Sequence, residues 1–169
     1  MRLVNCIIYA AALGLLSHFI GEALPRRWFD PEKKPYAPWQ IEKNGCLYKK
    51  LRVHKWKDKM PDMSKIMPDM VKKSISFSTA TSSAISKIAV ETCVAEIIHD
   101  ALILCSTGIY LIWPEPIGAI LAIVYAISNV PFVIIQRYNR PTLVLLSKRL
   151  KQREERLKNA NPNTVGQHG

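Results

Sequence analysis

Apolar and basic residues are segregated along this chain, and that segregation limits what it can fold into more than any other feature. Residues 3–20 form an apolar run, residues 90–113 are mostly apolar, and residues 117–135 form another. Each approaches the ~20 residues that a helix needs to cross hydrocarbon. The pattern predicts an all-α integral membrane protein with about three transmembrane helices, at about 3–20, 90–113 and 117–136. Length adds that the 169 residues suit a single unit. We therefore expect one membrane domain over residues 1–158, followed by a disordered tail over 159–169.

The charge follows the same division. Of the 24 Lys and Arg residues, 15 lie in residues 21–90 and eight more follow Ile135, whereas the Trp113-Pro114-Glu115-Pro116 turn has none. By the positive-inside rule the basic loop, residues 21–89, and the C-terminus face the cytoplasm, and the turn faces outward. A cleaved secretory signal over residues 1–24 is the competing reading of the first run. Cleavage would leave the basic loop outside, against its charge, which favours a retained anchor. The four cysteines have no CxxC spacing, and three lie in apolar runs, so they read as reduced thiols.

Between the first two spans, Pro25, Pro31, Pro35 and Pro38 interrupt a segment rich in Trp and Tyr, too broken for helix. Such aromatics suit the lipid headgroup layer. Residues 40–59 interleave Lys with Leu47, Tyr48, Leu51, Val53 and Trp56, the pattern of a short helix or strand on a membrane surface or of a solvated cationic face. Met60-Pro61-Asp62-Met63 recurs as Met67-Pro68-Asp69-Met70, too short an echo to define a repeat. Residues 74–86 read as a Ser/Thr-rich linker. Residues 141–158 alternate Leu with Lys and Arg, as an interfacial amphipathic helix does.

Glu91, Glu96, His99 and Asp100 stand together in the second run. A charge in hydrocarbon costs roughly 2.5–3.5 kcal/mol on insertion scales, so such a group calls for partners or for a function. Helical geometry sets Glu96 about 60° from His99 and Glu91 about 80° from it. The third run ends in Gln136-Arg137-Tyr138-Asn139-Arg140-Pro141. An antiparallel hairpin puts His99 level with about Pro131 and Glu96 level with about Ile134, within reach of Arg137 and Arg140. This inner-leaflet convergence is the candidate site, with Asn129 and Pro131 near the level of His99. The bland alternative is plain charge neutralisation of Glu91 and Glu96 by Arg137 and Arg140, with His99 hydrogen-bonded between helices. Glu96-x-x-His99 is also a metal-ligand spacing, but only His18 and Glu22 on the first span are available to complete it, and no metal is expected.

These residues resemble the glycosyl-4,4'-diaponeurosporenoate acyltransferase family of staphyloxanthin-type carotenoid biosynthesis. Three blocks carry the likeness: Trp39-x-x-Glu42-x-x-Gly45-x-x-Tyr48 with Trp56-Lys57-Asp58; Glu91-Thr92-x-x-Ala95-Glu96-x-Ile98-His99; and Asn129-Val130-Pro131 with the polar string Gln136 to Pro141. The resemblance implies transfer of a fatty acyl group from an activated carrier, acyl-CoA or acyl carrier protein, to a hydroxyl of a glycosylated isoprenoid or other glycolipid, with no tightly bound cofactor. It implies a multi-pass protein of the bacterial cell membrane. On that implication His99 is the general base, oriented by Glu96 or Glu91, and Arg137, Arg140 or Asn139 stabilises the oxyanion. Glu42, Trp56, Lys57, Asp58, Asn129, Gln136 and Tyr138 are then expected at the substrate, and the cations of residues 43–59 recruit the anionic donor or lipid headgroups.

The rival class is a noncatalytic membrane protein that holds lipid or scaffolds other enzymes. A nucleic-acid role is not expected, because the +11 charge flanks the spans as topology requires and no recognised binding fold appears. Membrane lipids, an acceptor and an acyl donor are the expected partners. Three spans barely enclose two lipid chains, which leaves room for a homodimer.

Overall fold

The structure, a computed structural model, describes residues 1–60 and 81–160. Among the described residues every regular element is helical. Helix α1 spans Arg2–Ala23, α2 Cys46–Lys50, α3 Val53–Trp56, α4 Ser82–Cys105, α5 Thr107–Ile112 and α6 Pro116–Ala160, with 3-10 turns at Arg26–Trp28, Gln40–Gly45 and Lys57–Lys59. The Lys-rich stretch predicted as a short helix or strand is thus helical.

Helix α1 is free of proline and stops just before Pro25. Its unpaired C-terminal carbonyls are met by Arg26, whose Nη1 donates to the oxygens of Gly21, Glu22 and Leu24 at 2.7–2.8 Å. The same guanidinium donates to both carboxylate oxygens of Glu91 on α4, at 2.9 and 3.0 Å. Toward the other end of α1 the Tyr9 hydroxyl donates to the Cys105 carbonyl at 2.9 Å. Helices α1 and α4 therefore run antiparallel, and a Cβ at Gly108 would collide with the Tyr9 ring.

The predicted second span is divided. Thr81 caps α4 by accepting from the Ala84 amide at 3.2 Å, and the helix ends at Cys105. The Ser106 and Thr107 hydroxyls donate back to the carbonyls of Ile103 and Leu104 at 2.7 and 2.9 Å, the local bonding that bends helices. Helix α5 then leads into the turn, where Glu115 accepts from Trp113 Nε1 at 3.0 Å and pairs with Arg2 of α1.

Helix α6 departs from expectation in the opposite sense. The third run and the segment read as a separate interfacial helix, residues 141–158, are one 45-residue helix, about 67 Å long, that continues through Pro131 and Pro141. Each proline removes one backbone donor, and packing on α4 compensates. Ser147 Oγ donates to the Ser82 carbonyl at 3.0 Å, and Glu154 accepts from the Ser82 amide and hydroxyl at 2.8 and 2.6 Å. The Glu154 bond satisfies an open amide at the N-terminus of α4, where a carboxylate is also favoured by the helix dipole.

Two apolar clusters hold the helices together. Cys6, Ile109 and Ala122 pack at the turn end with Tyr9 and Trp113, and Phe29, Cys93 and Val94 pack toward the other end with Tyr36. All four cysteines are free thiols. Among the described helices, α1 and α6 are long and apolar enough to cross a membrane, and only 6% and 17% of their most apolar windows is buried. A core helix of a soluble protein would be covered. The Met-Pro-Asp echo beyond Met60, residues 74–80 of the predicted linker and residues 161–169 of the predicted tail lie outside the described residues. Residues 82–86 of that linker form the first turn of α4, and Asn159 and Ala160 end α6.

Candidate active site

The hairpin of α4 on α6 brings Glu96 to the two arginines of the polar string. Arg137 Nη1 donates to Glu96 Oε1 at 2.6 Å, and Arg140 Nη2 pairs with Glu96 Oε2. The proline-rich segment adds a second carboxylate. Arg137 Nε donates to Glu42 Oε1 at 2.6 Å, and Glu42 also accepts from the Tyr48 hydroxyl at 2.7 Å and the Trp39 amide at 2.8 Å. Burial pushes the Glu42 carboxyl upward, but the bonds from Arg137, Tyr48 and Trp39 outweigh it and leave the carboxyl below its ordinary range. The Tyr48 hydroxyl is driven the other way, by burial first and then by the carboxylate it serves.

Arg140 is 1% exposed and fully engaged. Its Nε donates to Thr92 Oγ1 at 2.8 Å, Nη1 to the Tyr36 carbonyl at 2.9 Å and Nη2 to the Thr92 carbonyl at 2.9 Å, and the guanidinium lies over the Tyr36 ring at 5.3 Å. Arg137 is less enclosed. Among the described residues its Nη2 makes no hydrogen bond, and the residue lines a cavity of about 410 Å³. Trp39, Ile41, Leu47, Ile97 and Val133 give that cavity apolar walls, and Glu42, Glu96, Asp100 and Arg137 give it polar ones. Few convergent polar groups in an apolar recess of this size are the usual form of a small-molecule site.

Residues 25–149 match the glycosyl-4,4'-diaponeurosporenoate acyltransferase family. Proteins of that name from Staphylococcus aureus strains RF122 and MRSA252 are each 32% identical to this chain over 152 residues, which is 89% of this chain and 91% of the relative. The chain belongs to this family. It is therefore an acyltransferase. No solved structure matches it.

In this family member the predicted site residues divide into groups. Glu42, Glu96 and Arg137 meet at the cavity, and Arg140 braces them from behind. Glu91 does not share their site. It pairs with Arg26, because it lies one and a half turns earlier on α4, level with the end of α1. His99 meets side chains of α6. Both Glu96 oxygens bond to arginines, whereas His99 Nδ1 lies 2.9 Å from Asn129 Oδ1 and the imidazole stacks on Phe132 at 4.7 Å and 9°. Asn129 Nδ2 donates to the Tyr125 carbonyl at 2.9 Å. That bond fixes the amide so that its oxygen faces His99, which then carries its proton on Nδ1. Asn129 is 7% exposed and bonds within the helix pair, where a substrate contact was expected.

The remaining expectations fall on another face of α6. Asn139 is about 200° around the helix from Arg137, and its Oδ1 accepts from Lys57 Nζ at 3.4 Å. Lys57 lies 5.3 Å from the Tyr138 ring, which meets Tyr48 edge-on at 6.0 Å. Trp56 donates to the Leu51 carbonyl at 3.1 Å, Asp58 is exposed and Gln136 is buried. None of Trp56, Lys57, Asp58, Gln136, Tyr138 and Asn139 lines the cavity. On the first helix His18 and Glu22 pair with each other at 3.4 Å. Tyr36, Trp39, Tyr48 and Thr92 were not singled out as site residues. Trp39, Tyr48 and Thr92 stand inside the quoted sequence blocks, but their partners follow only from tertiary contact.

Proposed function

We propose that this acyltransferase works at the cytoplasmic surface of a membrane, moving a fatty acyl group from a thioester carrier to a sugar hydroxyl of a glycosylated carotenoid. The observation that carries the reading is the position of the cavity. Arg137 follows Ile117 by about 30 Å of helix, the thickness of a bilayer's hydrocarbon core. Above that level α6 exposes Ile120, Ile123, Val124 and Ile127, and α1 exposes Leu15, Leu16 and Phe19, a surface suited to lipid tails. The second half of the α4–α5 pair completes a third crossing, with the Trp113–Glu115 turn outside and the basic segments inside. A recess with apolar walls and an ionic floor at that depth suits a reaction that joins a greasy chain to a sugar.

Arg137 is the oxyanion donor in this reading, because it is the guanidinium at the cavity with donors to spare. Arg140 has every nitrogen engaged, and Asn139 faces Lys57. Lys49, Lys50 and Lys55, exposed on α2 and α3, attract the anionic end of the carrier. The test is direct: purified protein in lipid nanodiscs, given an acyl thioester and a glycosyl-4,4'-diaponeurosporenoate, forms an acylated glycoside detected by mass spectrometry. Release of free thiol without ester formation would exclude acyl transfer to that acceptor class.

A further inference from the structure

Three carboxylates line the cavity, and they differ in what they bond. Glu42 and Glu96 have their oxygens bonded by Arg137, Arg140, Tyr48 and the Trp39 amide. A carboxylate whose oxygens are already taken up by guanidinium hydrogen bonds is poorly placed to receive a substrate proton. Asp100 is different: among the described residues no hydrogen bond or ion pair engages it, yet it lies on the cavity wall. It is one turn beyond Glu96 on the same face of α4, about 6 Å further along the axis toward the outer turn. An ionisable group kept at that depth with no cation bonded to it costs a few kcal/mol, which packing alone gives no reason to retain.

The imidazole next to it has a different setting. His99 lies about 100° around the helix from Asp100, bonded to Asn129 and stacked on Phe132. It does not line the cavity. We propose that Asp100, and not His99, is the general base of the acyl transfer, a catalytic residue that receives the proton of the acceptor hydroxyl inside the cavity.

The inference rests on the acyl-transfer reading above and gives one group in it a role. The sugar hydroxyl oxygen attacks the thioester carbonyl as its proton passes to an Asp100 carboxylate oxygen. Arg137 stabilises the tetrahedral oxyanion. Collapse breaks the carbon–sulfur bond, and the proton passes from Asp100 to the departing thiolate. One C–O bond forms, one C–S bond breaks, and an ester and a free thiol leave.

Asp100→Asn, Asp100→Glu and His99→Gln, each in the full chain in nanodiscs, are compared with wild type using an acyl thioester and a glycosyl-4,4'-diaponeurosporenoate. Asp100→Asn should lower kcat by about 10²–10⁴-fold, the usual contribution of general base catalysis, with KM little changed and the protein accumulating normally. Asp100→Glu should recover part of the loss, since it restores a carboxylate. His99→Gln should lower kcat by less than about tenfold. The acid limb of the kcat/KM profile should vanish in Asp100→Asn but persist in His99→Gln. The charged groups around Asp100 are Glu96 and His99 on α4, Arg137 and Arg140 on α6, and Glu42 on the 3-10 turn. Of these, Glu42 titrates below its ordinary range in its pair with Arg137. An unimpaired Asp100→Asn enzyme, or a larger loss in His99→Gln than in Asp100→Asn, overturns the assignment alone. Wild-type protein that forms no ester overturns the acyl-transfer reading and this assignment with it.

Discussion

Arg137 Nε donates to Glu42 Oε1 at 2.6 Å across 95 residues of sequence, and this contact ties the proline-rich segment after α1 to the end of the apolar part of α6. The same guanidinium reaches Glu96 at 2.6 Å, so one side chain joins three parts of the chain at the cavity wall.

Arg137→Lys is expected to cut turnover about 10²–10³-fold per mole of folded enzyme, the range for losing an oxyanion donor. A lysine ammonium cannot reproduce the planar fork that spans Glu42 and Glu96. Steady-state acyl transfer by nanodisc-reconstituted protein measures it, and turnover near wild type would remove Arg137 from the oxyanion role.

Arg140→Ala should act on the fold. The side chain is 1% exposed and leaves Glu96 with one cation fewer in a dry environment, a loss of about 3–5 kcal/mol for a broken buried pair. Thermal unfolding in detergent, followed by circular dichroism, should show a markedly lower midpoint. A wild-type midpoint with lost activity would instead make Arg140 part of the chemistry.

Glu42 sets an acid limit on stability. Its carboxyl titrates below its unfolded value of about 4.3, so its stabilising contribution is complete above that pH and is lost as pH falls through the folded value. Glu42→Gln should flatten this acid limb of the unfolding curve. An unchanged limb would mean that other carboxylates dominate acid unfolding.

Gly108→Leu should loosen α1 from the hairpin, because a side chain there meets the Tyr9 ring, and overpacking costs typically about 1–3 kcal/mol. Limited proteolysis after Arg26 or Arg27 should speed up, while the α4–α6 hairpin stays protease-resistant. Cleavage at the wild-type rate would show that the Tyr9–Gly108 contact does not hold α1.

The helical class and the meeting of Glu96 with Arg137 and Arg140 were legible because both follow from short-range rules. Apolar run lengths delimit helices, and an antiparallel hairpin through a tight turn fixes which residues share a level. Counting outward from the turn set His99 near Pro131, and the observed partner, Asn129, is within one turn of that count. The join of residues 117–136 to 141–158 was not legible. Pro141 breaks helix by local preference, and tertiary bonds to distant residues, among them those between Ser147, Glu154 and Ser82, 65 and 72 residues away, offset it.

Within the site, spacing grouped Glu91, Glu96 and His99 on one stripe of α4 but carried no information about what packs against each. Arg26 takes Glu91 because it also closes the end of α1, and Asn129 takes His99 because Tyr125 orients its amide. Charge segregation and apolar run length dictate how the chain divides into helices and basic segments, because burial and solvation act on each stretch independently. Which carboxylate bonds directly to a cation, and that Asp100 forms no ion pair among the described residues, depends on the distances between side chains from three separate segments, and these exist only once the helices have packed.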